Sequence, residues 1–302
     1  MPFGIFLCYY RRMTYVILGP TGIGKTSLAV DISEYFNCPI ISCDAYQIYK
    51  EMDIGTGKIT ENEKGYDRHY LINKIFPNEC YSVKEYQKDF REIYEQLLKN
   101  NENIVVVGGT GLYIKAALYD YVFETFSDDT SDLEKLDNKS LYELLLSLDP
   151  ESTKTIHENN RKRVIHAISL ARSCAKTKSE GIDSQEHKLL YDNIRFIFIN
   201  PDREMVYEKI NNRVDKMFEQ GLINEVKGLL DKYNFSITAK EAIGYKEVFS
   251  YFNKEITLDE CKELIKKRSR NYAKRQVTFF KHQFECEIYS SISEAKAAII
   301  NK

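Results

Sequence analysis

The chain has 302 residues, 43% of them hydrophobic, and its 43 basic and 45 acidic side chains give a formal net charge of −2. Such a chain can bury a substantial core as one large domain or as one domain carrying an insertion, and its near-neutral charge gives no global sign of a polyanionic partner. Seven cysteines without any C-x-x-C pair argue against a zinc ribbon and a disulfide framework, and no apolar run reaches the length of a membrane span, so the expected setting is the reducing cytosol.

Residues 1–12 are expected to be an extension: residues 3–10 are apolar but short, no basic residue precedes them, and Arg11-Arg12 follows, the wrong order for a signal peptide. Their removal should leave activity intact. Tyr15-Val-Ile-Leu18 then reads as a strand leading into Gly19-Pro20-Thr21-Gly22-Ile23-Gly24-Lys25-Thr26, which matches the phosphate-binding loop G-x-x-x-x-G-K-[ST] at every fixed position. A helical pattern over residues 27–36 leads out. Backbone N–H groups of the loop and of the helix N-terminus would converge on an anion, so the chain is expected to bind a di- or triphosphate. Lys25 would reach the outer phosphates, and Thr26 would place its hydroxyl on a Mg²⁺ bridging them. The loop alone leaves open whether phosphate is transferred, hydrolysed or expelled as a leaving group.

Further strand-like runs at residues 39–42, 103–107 and 194–199 alternate with helical patterns that include 83–100 and 207–230, the rhythm of a parallel sheet covered on both faces. The second strand ends in Asp44-Ala45-Tyr46-Gln47 and the next in Gly108-Gly109-Thr110, at the sheet edge where open α/β folds bind ligands. Asp44 could contact Mg²⁺ or act as a general base; the glycine pair would let backbone approach a ligand closely. Between residues 118 and 189 the rhythm stops, giving an acidic stretch (124–137), helical patterns at 141–148 and 161–172, and a polar segment at 177–187. The expected architecture is α/β: a three-layer P-loop NTPase-like core over residues 13–117 and 190–302, with a mostly helical insertion over 118–189. Charge is unevenly spread: eight Lys or Arg against one acid lie between Lys262 and Lys281, and Lys154, Arg161, Lys162, Arg163, Arg172, Lys176 and Lys178 form a second basic cluster. Such clusters set local field regardless of net charge.

Taken together, the residues resemble the tRNA dimethylallyltransferase family, the enzymes that prenylate adenosine 37 beside the anticodon. The resemblance covers roughly residues 15–284 and rests on the loop, Ser42-Cys-Asp-Ala-Tyr-Gln-Ile-Tyr49, Met52-Asp-Ile-Gly-Thr-Gly-Lys58, Gly108-Gly-Thr-Gly-Leu-Tyr113, Arg213-Val-Asp-Lys-Met217, Glu225-Val226, Ala242-Ile-Gly-Tyr-Lys-Glu247 and Tyr272-Ala-Lys-Arg-Gln276, in order and at preserved spacing. It implies that the loop holds dimethylallyl diphosphate rather than a nucleotide. Lys25, Arg213 and a Mg²⁺ held partly by Thr26 would neutralise the leaving diphosphate, Asp44 would accept the N6 proton of adenine, and Thr110 would orient the base. Asp44, Ala45, Tyr46, Gln47 and Thr110 would meet the flipped adenosine, Lys162, Arg163 and His166 of the insertion the anticodon loop, and Lys274, Arg275 and Gln276 its phosphates. The implied partners are tRNA and dimethylallyl diphosphate, with a monomeric chain and no membrane.

This sequence departs from the family pattern at Lys162 and His166, the ends of a usual Gln-Arg-x-x-Arg motif, at Arg68 where a second histidine is common, at Asn73 where an acid is frequent, and at Gly57 where Ala is common. Two enzymatic alternatives share the loop: a small-metabolite or nucleoside kinase, which should show an arginine-bearing lid, and an adenylate isopentenyltransferase, which should need neither the insertion nor the basic tail. A non-enzymatic nucleic-acid-binding module would have no use for Asp44, Thr110 and the loop in one site. The prenyl-transfer reading requires Asp44 and the loop to face one open cavity.

Overall fold

The computed structural model describes residues 12–100, 102–123, 130–173 and 188–301. The expectations for residues 1–11, for the first part of the acidic stretch (124–129) and for the polar segment 177–187 lie outside the described residues, as do Lys176 and Lys178.

The chain opens with β1 (Thr14–Leu18), whose five residues are all buried, as expected of a strand covered on both faces. It continues through α1 (Lys25–Phe36), β2 (Ile40–Ser42), β3 (His69–Tyr70), α2 (Val83–Lys99), β4 (Ile104–Val107) and α3 (Gly111–Leu118). A Ser82–Glu85 capping box starts α2, and its Tyr86, Phe90, Tyr94 and Leu97 recur at helical spacing to form the buried stripe.

A second compact unit, Tyr119–Leu190, follows. Its helices are α4 (Ser131–Glu134), α5 (Asn138–Leu148), α6 (Pro150–Thr153) and α7 (Arg161–Ser173). Leu133, Leu141, Leu145, Ile156, Val164, Ala167 and Ile168 make its own core. An antiparallel bridge between Tyr119 and Leu189 joins its two ends.

The first unit resumes with β5 (Ile194–Ile199), α8 (Arg203–Glu219), α9 (Leu222–Lys232), α10 (Ile237–Lys240), α11 (Tyr245–Phe252), α12 (Leu258–Gln283), β6 (Glu287–Tyr289) and α13 (Ile292–Ile300). The helical pattern over 207–230 is therefore two helices, not one. Gly221 between them takes φ 98°, a left-handed conformation that ends one helix and turns the chain into the next. Its six strands run parallel in the order β3-β2-β4-β1-β5-β6. Strands β3 and β6 escaped the sequence reading because they are two and three residues long, lie at the edges and are only partly buried. The chain leaves β1 toward β2 on one side and returns as β5 on the other, so a crevice opens beyond the carboxyl ends of β1, β2 and β4. Below it, Ile17, Leu28, Ile32, Val105, Ile197 and Ile210 form the main core. No helix among the described residues is long and apolar enough to cross a membrane.

Candidate active site

The crevice holds a cavity of about 340 Å³ lined by Thr21, Gly22, Gly24, Lys25 and Thr26 of the phosphate loop, by Asp44, Tyr46 and Gln47 beyond β2, by Gly108 and Gly109 beyond β4, and by Arg213 of α8. Asp44 and the loop thus face the same open space. Arg213 enters from the side: its Nη1 donates to Thr21 Oγ1 at 2.8 Å and its Nη2 to the Thr56 carbonyl at 2.9 Å. Lys25 Nζ donates to the Pro20 carbonyl across the loop at 2.8 Å. Burial, and then the nearby Arg213 guanidinium, pull the Lys25 amine down to about 7, while Asp44 works in the opposite direction. Burial lowers Arg213 as well. Two cationic side chains therefore share one cavity with Asp44, whose charge acts on both, and such a pair suits an oxyanion.

Asp44 has a structural task as well as a place in the cavity. Its Oδ1 accepts from the backbone N–H of Tyr46 at 2.9 Å and of Gln47 at 3.4 Å, an Asx turn that holds these two cavity-lining residues in place. Thr110 Oγ1 accepts from Ala45 N–H at 3.1 Å, which fixes this turn. Beneath, the Tyr86 hydroxyl donates to the Ser42 carbonyl at 3.0 Å and meets the Cys43 thiol at 2.6 Å. Burial pushes that thiol up to about 12, leaving it inert beside the site.

The glycine pair also serves a close approach within the protein itself. At Gly108 the space of a Cβ is filled by the Cys43 carbonyl, and at Gly109 by the Gln276 amide. Both line the cavity, yet what comes close to them is the protein's own backbone and a neighbouring side chain, which lets β2 and α12 close on β4. Gln276, expected to contact phosphates, is 4% exposed, and both ends of its amide are bonded within the protein. Its Oε1 accepts from Thr21 N–H and its Nε2 donates to the Gly109 carbonyl, both at 2.9 Å, tying the phosphate loop to the β4 turn. One turn earlier on α12, the Tyr272 hydroxyl donates to the same carbonyl at 3.2 Å while its ring lines the cavity.

Three further parts of the site carried no chemical assignment in the sequence. His69 lines the cavity, holds the Gly65 carbonyl through Nδ1 at 2.7 Å and leaves Nε2 buried without a partner among the described residues. Gly55, Thr56 and Gly57 line it too. That loop is pinned by buried Lys58, whose amine donates to the Tyr49 carbonyl, Asp53 Oδ1 and Asn73 Oδ1 at 2.6, 2.6 and 2.7 Å. Asn73 therefore does as a neutral acceptor what an acid would do there, because Asp53 already supplies the counter-charge.

A model of the IPP transferase family matches residues 47–283. The chain belongs to the IPP transferase family. Among curated relatives of this family member, tRNA dimethylallyltransferases of Bacillus mycoides (strain KBAB4) and Bacillus anthracis are 39% identical over 282 residues, covering 91% of this chain and 89% and 90% of theirs. Among solved structures, the tRNA delta(2)-isopentenylpyrophosphate transferase of Staphylococcus epidermidis is 37% identical with a TM-score of 0.71, covering 96% of this chain and 98% of its own. A eukaryotic dimethylallyltransferase described as acting on tRNA superposes with a TM-score of 0.78 at 26% identity, over 94% of this chain and 75% of its own. The P-loop NTPase-like α/β architecture expected from the sequence is the one this family member has.

Family membership gives the two basic clusters a context, and the structure sorts them. On α12, Lys262 and Lys266 both pair with Asp215, Arg268 pairs with buried Glu247, and Arg270 donates to Asn211 Oδ1. Half of that cluster is thus committed to internal partners far away in sequence. Lys274 and Arg275 are exposed, with Arg275 lying 5.7 Å from the centre of the Tyr272 ring. In the second unit, Arg161 braces the Leu133 and Glu134 carbonyls, Arg172 pairs with Asp132 and Lys154 with Glu151. Lys162, Arg163 and His166 are exposed, and spacings of three and four residues put Arg163 and Lys162 each within a turn of His166.

Proposed function

We propose that the chain transfers the dimethylallyl group of dimethylallyl diphosphate to N6 of adenosine 37 in tRNA and releases diphosphate. The observation that carries this reading is the single cavity shared by Asp44 and by the cations of the phosphate loop and α8. In the reaction the N6 amine attacks the allylic C1, the bond from C1 to the ester oxygen breaks, and negative charge builds on the departing diphosphate. Lys25 and Arg213 stand where that charge grows, so they stabilise the transition state more than the bound ester. Asp44 takes the N6 proton as the C–N bond forms; an exocyclic amine is barely basic, and a carboxylate already oriented by its own turn supports its attack.

The donor set also suits Mg²⁺. Thr26 offers a hydroxyl at the head of α1, Asp44 lines the same cavity, and no group of three or more His, Cys, Asp or Glu among the described residues could form a dedicated cage. That is the coordination Mg²⁺ favours, one or two protein oxygens with substrate phosphates and water filling the rest. Bound there, the ion would offset charge on the diphosphate oxygens. Family membership favours this reading over the kinase alternative. For the tRNA we assign Tyr46 and Gln47 in the cavity to the flipped base, and Lys162, Arg163, His166, Lys274 and Arg275 on the surface to the backbone.

Incubation with labelled dimethylallyl diphosphate, Mg²⁺ and unmodified tRNA bearing adenosines at positions 36 to 38 tests the reading. The label is expected on adenosine 37 alone. Label on free AMP in preference to tRNA, or ADP formation from ATP without alkyl transfer, would overturn it.

A further inference from the structure

We propose that Glu225 is the positioning residue for Arg213, and through it for the charge that meets the leaving diphosphate; the proposal rests on the reading of this cavity as a diphosphate-ester site. The carboxylate of Glu225, on α9, accepts four hydrogen bonds. Its Oε2 takes the backbone N–H of Asp53 at 3.0 Å and of Ile54 at 2.7 Å, and its Oε1 takes Gly55 N–H at 3.2 Å and the Tyr245 hydroxyl at 2.5 Å. Three consecutive N–H groups pointing at one anion make a nest, here filled by the protein's own side chain. It forces the 53–55 backbone into one curve.

The next two residues of that curve hold Arg213. The Thr56 carbonyl receives Nη2 at 2.9 Å, and Gly57, at φ 58°, presents bare backbone where a Cβ would lie 2.5 Å from Nη2. The guanidinium packs against that glycine, and its other arm reaches Thr21 Oγ1 in the phosphate loop at 2.8 Å. Glycine at position 57, where Ala is common in the family, therefore bears directly on where this guanidinium sits. The path runs from Tyr245 through Glu225 and the 53–57 loop to Arg213 and the phosphate loop. Removing the carboxylate strands three N–H groups and lets Thr56 and Gly57 drift, and a cation displaced by about 1 Å from its productive place can cost about 100-fold in rate.

The test compares the wild-type chain with Glu225→Ala, Glu225→Gln, Arg213→Ala and the double variant Glu225→Ala/Arg213→Ala. Each is assayed for prenyl transfer, for binding of inorganic diphosphate with Mg²⁺ by calorimetry, for tRNA affinity and for thermal unfolding. Glu225→Ala should lower kcat by roughly 10- to 100-fold and weaken diphosphate, with tRNA affinity unchanged. Glu225→Gln, which keeps an acceptor for two of the N–H groups, should fall between and carries the comparison if the alanine variant does not fold. Adding Glu225→Ala to Arg213→Ala should cost no more than about twofold, because both act through one guanidinium. Full additivity, or a lowered Tm with diphosphate binding intact, would overturn the proposal. A wild-type chain that binds diphosphate but transfers nothing sinks the prenyl-transfer reading alone, since the diphosphate titrations still decide Glu225. One that binds no diphosphate sinks both.

Discussion

At Lys25, burial beside a second cation makes the amine's charge conditional on ligand. The ligand-free amine titrates at about 7, well below its ordinary value of 10.5, so above neutrality it is largely uncharged. The unfolded chain binds the extra proton in that window, so this residue's contribution to stability improves as pH rises from about 7 toward 10.5. Bound diphosphate is expected to act in the opposite sense by favouring the protonated amine, so its affinity should fall as pH rises above about 7. Calorimetry at pH 8 in buffers of different ionisation enthalpy should detect uptake of about one proton on binding, absent in Lys25→Arg, whose guanidinium stays charged. Asp44 divides along another line, since it both shapes a turn and faces the cavity. Asp44→Asn keeps an acceptor for Tyr46 N–H and should leave the melting temperature near wild type while transfer falls by roughly 100- to 10,000-fold. Asp44→Ala should lose the turn bond too, a further cost of about 1 kcal/mol in thermal unfolding.

The helix α12 does more for the site than its charge suggests. A Thr257–Glu260 capping box starts its 26 residues, and four residues apart on it Tyr272 and Gln276 both reach the Gly109 carbonyl. Gln276 also holds Thr21 N–H, so one side chain couples the β1 and β4 loops. Gln276→Ala takes the partner of the Thr21 N–H and leaves the Gly109 carbonyl with Tyr272, which should cost about 1–3 kcal/mol in chemical unfolding and slow transfer. Filter binding should show tRNA affinity near wild type; a large loss there would return Gln276 to the nucleic-acid contacts. The glycines of the β4 turn belong to the same element logic: they let a helix and a strand approach, and the cavity inherits its shape from that approach.

Across the whole molecule, a chain of net charge −2 can hold a polyanion only through local concentrations of exposed cations. Those concentrations are smaller than the sequence suggests, because Asp215 and Glu247 consume part of the α12 cluster and Asp132 and Glu151 part of the second. The exposed remainder, Arg163 among them, should govern tRNA binding. Arg163→Ala is expected to weaken tRNA affinity and reduce the slope of log K against log salt by about 0.7–0.9, with kcat at saturating tRNA nearly unchanged. Equilibrium binding across a salt series measures both.

Contiguous residues settled what the sequence could say alone. The phosphate loop, the apolar runs of β1, β4 and β5, the stripe of α2 and the pause in rhythm before the second unit are all local patterns, and local backbone preference with short-range burial is enough to write them. Tertiary structure decided whatever depends on meeting a distant partner. Glu225 lies 171 residues from the Ile54 N–H it holds, and Gln276 lies 255 from Thr21 N–H, so neither role leaves a trace in spacing. The same holds for the acids that pair with three of the eight cations of the α12 cluster and for edge strands too short to carry a period. Hydrogen bonds and ion pairs form between groups that folding brings within about 3 Å, and only the closed chain determines which groups those are.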